Sequence, residues 1–193
     1  MNDIVLSGIF KSFDGKAVLS DVSLRFTSGE TVCIRGRSGI GKTTLLRIIA
    51  GLTKPDSGTV SGVPERIAFV FQEDRLCEEF SAVSNIRFVT GRSIPAETIL
   101  KHLSELGLSE SAMLPVRAFS GGMKRRVALA RAVCAEPELL ILDEPFKGLD
   151  LELKQKVIAY IKKHTSGKTV ICVTHDPAEA ELMGGIGIDL DVI

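Results

Sequence analysis

The stretch from Thr31 to Ala50 constrains the fold more than any other part of the chain. An apolar, β-branched run (Thr31-Val32-Cys33-Ile34) leads into Gly36-Arg37-Ser38-Gly39-Ile40-Gly41-Lys42-Thr43, and then into Thr44-Leu45-Leu46-Arg47-Ile48-Ile49-Ala50. The middle segment fits G-x-x-x-x-G-K-[ST], a pattern that gains its meaning from a strand before it and a helix after it. Glycines allow a turn tight enough for successive N–H groups to face one anion. The helix that follows adds about half a positive charge at its first turn. Gly36, Arg37, Ser38, Gly39, Ile40, Gly41, Lys42, Thr43 and Thr44 are therefore the candidate phosphate contacts. Lys42 has the reach and charge for the β- and γ-phosphates, and the Thr43 hydroxyl suits Mg²⁺. The plain alternative is a glycine-rich turn that happens to precede a lysine, and the flanking strand and helix weigh against it. This segment points to a nucleoside triphosphate.

Further along, strand-like and helix-like runs alternate. The first thirty residues read as strands, an apolar run to Phe10 and then Ala17 to Phe26, with Gly15 and Ser28-Gly29 as turn signals for an antiparallel hairpin or small sheet. Gly51 and Lys54-Pro55-Asp56-Ser57-Gly58 read as the turn that ends the first helix. Ile67 to Phe71 is strand-like and stops at Gln72. From Glu73 to about Pro115 the β-branched runs disappear, and Ile99, Leu100, Leu103 and Leu106 recur at helical spacing, so a helical insertion is expected. Ser120-Gly121-Gly122 then opens a basic helix. Leu139-Leu140-Ile141-Leu142 ends in Asp143-Glu144, a charged helix covers about Glu152 to Lys163, and Thr169 to Val173 ends in Thr174-His175-Asp176. Strands that are apolar throughout imply a parallel sheet covered on both faces, with reactive residues at the strands' carboxyl ends. The expected class is an α/β P-loop NTPase: a mostly parallel sheet, an N-terminal antiparallel β subdomain, and a nested helical subdomain over about 73–135 within a single domain, 1–193.

Bulk composition narrows the partners. With 24 basic and 24 acidic residues the formal net charge is zero, which lacks the general attraction to nucleic acid of a basic domain. No signal peptide is read at Met1-Asn2-Asp3-Ile4-Val5, and no apolar run approaches the roughly 20 residues of a membrane span. A cytoplasmic chain is expected, reaching a membrane only through a partner. Cys33, Cys77, Cys134 and Cys172 are dispersed without a C-x-x-C pair, which favours packing over metal or redox work.

Several candidates have a chemical and a bland reading. Asp143 at a strand tip can hold Mg²⁺ opposite Thr43, and Glu144 can accept a proton from the water that attacks the γ-phosphate. An isolated Asp-Glu is more often a solvated strand end, but the P-loop and the preceding Leu-Leu-Ile-Leu reverse that weighing. Ser120-Gly121-Gly122 offers a hydroxyl, bare N–H groups and a helix dipole as a second anion site, or else is a simple N-cap turn. Gln72, His175 and Phe13, taken one at a time, read as structural.

Taken in order, these elements resemble the nucleotide-binding subunit of ATP-binding-cassette (ABC) transporters. The resemblance runs from Phe13 to about Ala180, and the Ser-Gly-Gly element upstream of Asp143 sets this family apart from other P-loop ATPases. Phe71-Gln72-Glu73-Asp74-Arg75-Leu76 and Arg126 to Ala132 look most like importer ATPases of the nitrate/sulfonate/taurine type. The resemblance implies ATP and Mg²⁺ as ligands. It also implies a head-to-tail dimer with a second copy or a related subunit, in which Ser120, Gly121 and Gly122 of one protomer close on the γ-phosphate held by the other. By the same likeness, Gln72 senses Mg²⁺ and the γ-phosphate, Glu144, His175, Gln72 and Lys42 are catalytic, and Thr43, Gln72 and Asp143 face the metal. Asp150 links the two sites and Phe13 stacks on adenine. A multi-span permease is the further implied partner, received after Gln72, which places the chain at the inner face of the cell membrane. Rival readings are a non-transport ABC ATPase acting on nucleic acid or ribosomes, and the ATPase of an exporter or lipoprotein-release complex. Three departures stand out: Phe119 and Met123 flank the signature where the family has Leu and Gln, Phe13 replaces a common Tyr, and the chain stops at Ile193. The early stop leaves a last strand or helix expected to be missing.

Overall fold

The computed structural model describes residues 2–192. A three-stranded antiparallel sheet is built from β1 (Ile4–Phe13), β2 (Lys16–Phe26) and β4 (Ser57–Ser61), in the order β2-β1-β4. A five-stranded sheet holds β3 (Thr31–Arg35), β5 (Ile67–Val70), β6 (Leu139–Asp143), β7 (Thr169–Val173) and β8 (Ile186–Asp189), in the order β5-β6-β7-β3-β8. Each pairing in this second sheet is parallel.

Burial explains why β6 and β7 are apolar at nearly every position. Both strands are buried along their full length. Leu139 and Ile141 of β6 pack on one face of the sheet with Leu45, Leu46, Ile48 and Ile49 of α1 (Lys42–Ile49) and with the antiparallel sheet. Leu140 and Leu142 pack on the other face, in the core shared with α4 (Gly121–Cys134), α5 (Leu151–His164) and α6 (Pro177–Met183). Each such fully buried side chain contributes about 1.5–3 kcal/mol relative to exposure. Cys33 and Cys172 are in register on β3 and β7 with no exposed surface, and Cys134 is also buried, whereas Cys77 is exposed.

Between β5 and β6 lie α2 (Ala82–Thr90), α3 (Ala96–Glu105) and then α4, as the loss of β-branched runs leads one to expect. Asn85, fully buried, pins the approach to α2 by accepting from the Cys77 N–H and donating to the carbonyls of Cys77 and Ser81.

Two strands depart from the sequence expectation. The segment read as a turn at Lys54 to Gly58 becomes β4 from Ser57 onward. Its sequence, Ser-Gly-Thr-Val-Ser, is exposed at most positions and carries little apolar pattern; the open edge of β1 recruits it instead. Gly58 sits at φ +94°, and a Cβ there would lie 2.3 Å from the Gly8 carbonyl oxygen, so the crossing admits only glycine. At the other end, β8 pairs with β3 from Val32 to Arg35, a strand that the sequence reading does not contain. Its glycine and the exposed Ile186 concealed it.

Candidate functional site

The strand order does most of the assembly. Side by side, β3, β7, β6 and β5 release at their carboxyl ends the P-loop, His175, Asp143-Glu144 and Gln72. These residues surround one cavity of about 350 Å³, whose wall includes Ser38, Gly39, Gly41, Lys42, Thr43 and Thr44 from the loop and the start of α1. Gln72, Asp143, Glu144 and His175 complete the wall, with Val18, Lys147 and Val173.

The loop is shaped by close approach and by an open helix start. Gly41 is the N-cap of α1 at φ 104°, and no side chain caps that end. A Cβ on Gly41 would come within 2.9 Å of the Val18 carbonyl oxygen and 2.8 Å of Leu19 Cδ2, so β2 packs too tightly here for any other residue. Lys42, 9% exposed, curls back so that Nζ donates to the carbonyls of Gly36 at 2.6 Å and Arg37 at 2.8 Å. Its ammonium is thereby held over the hollow of the loop, where phosphate oxygens are the stronger acceptors.

Asp143 accepts a hydrogen bond from Thr43 Oγ1 at 2.8 Å. Burial pushes its carboxyl above the ordinary range, with the Thr43 bond opposing and the Glu144 charge reinforcing the rise. A nearly buried carboxylate short of compensating charge, beside a hydroxyl and a phosphate loop, fits a hard divalent cation held by oxygen ligands.

Glu144 occupies the left-handed region at φ 50°, a conformation that costs a non-glycine residue about 1–3 kcal/mol. The strain is held in place because its N–H donates to the Val173 carbonyl at 2.9 Å. Its Oε2 lies 2.8 Å from His175 Nδ1, which orients the carboxylate into the cavity mouth.

Other candidates lie elsewhere. Phe13, at the tip of the β1–β2 hairpin, is 48% exposed and outside the cavity wall, near Lys11 Nζ at 5.2 Å from its ring centroid. Gly36 and Ile40 shape the loop from behind, and the Arg37 guanidinium turns away to Asp191, 2.7 Å from Nε. Ser120, Gly121, Gly122 and Asp150 line a second hollow of about 780 Å³, and Gln72 and Lys147 border both. Within the protomer Ser120 Oγ caps α4 by accepting from Met123 N at 3.3 Å, and Asp150 caps α5 by accepting from Leu153 N at 2.9 Å. Lys147, Val18 and Asp191 were not singled out from the sequence. Lys147 lies in the turn between Glu144 and Gly148, where lysine has no pattern to flag it. Val18 and Asp191 come from segments far along the chain.

The family model described as ABC transporter matches residues 19–147. An aliphatic sulfonates import ATP-binding protein, SsuB 2 of Pseudomonas syringae pv. tomato, is 39% identical over 174 residues, covering 88% of this chain and 74% of that protein. A taurine import ATP-binding protein, TauB of Yersinia pestis bv. Antiqua, is 40% identical over 190 residues, covering 91% of this chain and 74% of its own. Among solved structures, the dimeric structure of MJ0796, a bacterial ABC transporter cassette, superposes with a TM-score of 0.86 at 29% identity, covering 97% of this chain and 94% of that one. A post-hydrolysis state of the same cassette bound to ADP and Pi gives a TM-score of 0.84 at 30% identity, over 93% and 90% of the two chains. The chain belongs to the ABC transporter family, as an ATP-binding, ATP-hydrolysing subunit.

Proposed function

We propose that this subunit hydrolyses Mg·ATP in a head-to-tail dimer and thereby drives a separate multi-span permease at the inner face of the cell membrane, in the direction of import. The observation that carries this reading is the convergence of Lys42, Gln72, Asp143, Glu144 and His175 on one cavity beside an uncapped helix start.

In this reading the loop N–H groups and Lys42 bind the β- and γ-phosphates, and Ser38 to Thr44 fix their register. Thr43, Asp143 and Gln72 are the groups that would hold Mg²⁺, which would supply positive charge against that of the phosphates. Glu144 accepts the proton of the attacking water while His175 holds its carboxylate in line. Ser120, Gly121 and Gly122 serve the nucleotide of the opposite protomer, because in their own protomer they face a separate hollow. Asp150, at the rim of that hollow, relays between the two sites. Phe13 reaches adenine only if the exposed hairpin tip bends toward it.

Support for a permease comes from the helical insertion. Phe80, Phe88, Val89 and Leu114 are each more than half exposed there, and the rings of Phe80 and Phe88 meet edge to face at 5.1 Å. An apolar patch of this kind is an interaction surface. Among the described residues no helix is long and apolar enough to cross a membrane. Aliphatic sulfonates and taurine, the solutes in the relatives' names, share a sulfonate group, and import of an organic sulfonate is the reading they support.

Replacing Glu144 with Gln tests the chemistry. The variant is expected to retain ATP, accumulate as a dimer, and release phosphate about 10²–10⁴-fold more slowly. Phosphate release at the unaltered rate would remove Glu144 from the proton-accepting role.

A further inference from the structure

Gln72 lies two residues beyond the end of β5 on an irregular segment, so its position has to be fixed from outside. The fixing group is a buried arginine on a different element. Arg125, in the second turn of α4, is 5% exposed. Its Nη1 donates to the Phe71 carbonyl at 2.6 Å and its Nη2 donates to the Gln72 carbonyl itself. Its Nε lies 3.2 Å from Asp74 Oδ1, an ion contact without an aligned hydrogen bond. One turn and a half further along the helix, Arg131 continues the grip, donating to the carbonyls of Arg75 at 2.8 Å and Asp74 at 3.2 Å. Burying a guanidinium is costly unless it is paired, and here two of its donors are met by the carbonyls on either side of the Gln72 Cα and its charge is faced by Asp74. The same rigid helix carries the Ser120 turn at its N-terminus, five residues before Arg125.

We propose that Arg125 is a positioning residue that clasps the Gln72 loop to α4, so that Gln72, which borders both hollows, and the Ser120 turn, which lines the second, are set by a single rigid element. The inference rests on the catalytic reading of Gln72 given above. Planarity is essential to the clasp: a fixed fork serves two successive carbonyls while its charge faces Asp74, which a lysine ammonium cannot reproduce. A displacement of the Gln72 side chain by about 1 Å is enough to cost about 10²-fold in rate.

Arg125→Met and Arg125→Lys are compared with wild type, Gln72→Ala and the Arg125→Met/Gln72→Ala double variant. Folding is checked by thermal midpoint, loop order by hydrogen exchange of residues 71–76, and chemistry by kcat and the Mg²⁺ concentration for half-maximal phosphate release. Faster exchange confined to 71–76 is expected in both Arg125 variants, with kcat lowered about 10-fold or more. In the double variant kcat should match Gln72→Ala alone, since Arg125 acts through Gln72. Unchanged exchange at 71–76, or losses in kcat that simply add, would overturn the clasp. Wild-type turnover of Gln72→Ala withdraws the catalytic reading of Gln72 instead, and the clasp then stands or falls on the exchange measurement. Should Arg125→Met fail to fold, Arg125→Lys carries the same comparison.

Discussion

Helices α1 and α4 both begin at glycine-rich turns, but they are finished in different ways. The start of α1 is bare: Gly41 supplies no cap, and Lys42 lies folded over the loop. The start of α4 is closed by its own Ser120 hydroxyl, as are the starts of α2, α5 and α6 by Ser81, Asp150 and Asp176. An uncapped helix start retains unsatisfied N–H donors that an anion can meet. A capped one is content without a ligand. The contrast separates a site that one protomer builds for itself from one that, in the proposed dimer, is completed only across the interface. It also explains why the sequence left Ser120-Gly121-Gly122 open between cap and anion site: the turn makes the cap bond, and a 3.3 Å bond from the Met123 N–H to an exposed serine is weak enough to be exchanged.

The largest effect expected from this contrast is at the bare end. Lys42→Ala removes charge-assisted phosphate contacts of about 1.5–3 kcal/mol each, so ATP affinity should fall about a hundredfold or more in calorimetry. Undiminished affinity would mean that α1 is no anion site. At the capped end, Ser120→Ala should lower stability by about 1 kcal/mol in urea titration and leave ATP affinity of the isolated protomer unchanged. Phosphate release at dimerising concentrations should still drop. If the protomer's own affinity falls with it, the two helix starts do not belong to different binding events.

The smallest effect concerns a helix end of opposite polarity. The last turn of α5 gathers Lys162, Lys163 and His164, cations at the negative pole. His164 Nε2 is 2.8 Å from Glu105 Oε2, and the His102 ring lies 4.6 Å from that of His164, with His102 Nδ1 2.8 Å from the Tyr160 hydroxyl. Burial, then the His164 charge, hold His102 below the ordinary histidine value against the pull of Glu105, with Lys163 and Lys101 adding to the fall. The unfolded chain therefore takes up this proton first, and stability is lost as pH drops below about 6.5 until folded His102 protonates as well. Glu105 is held below the ordinary carboxylate range by the His164 bond first and by Lys163, so its contribution is present above that range and disappears further down, with the same sign. Thermal midpoints should decline from pH 7 to pH 5, and His102→Gln should flatten the upper part of that decline. An equally steep profile in the variant would show that the cluster does not set it.

How much of this was legible follows from where each signal resides. The P-loop, Asp143-Glu144 and His175 each follow an apolar run whose ends are marked by a change to polar residues, so local sequence gives both the strand and its reactive tip. β4 and β8 were hidden because exposed edge strands need no apolar pattern; each exists because a neighbouring strand offers an open hydrogen-bonding edge. Arg125 carried no signal at all within a run of basic residues. Which of Lys124, Arg125 and Arg126 turns inward depends on the rotation of α4 against β5, which is fixed by packing.

Sequence alone determined the α/β class, the glycine-rich loop between strand and helix, and the residues proposed for ATP chemistry, because those are written in contiguous segments whose backbone geometry is local. Only the tertiary structure decided that Gln72, Asp143, Glu144 and His175 share one cavity while Ser120, Gly121 and Gly122 face another. That division depends on the order in which parallel strands are laid side by side, β5-β6-β7-β3, an arrangement fixed by burial of both sheet faces between residues distant in the chain.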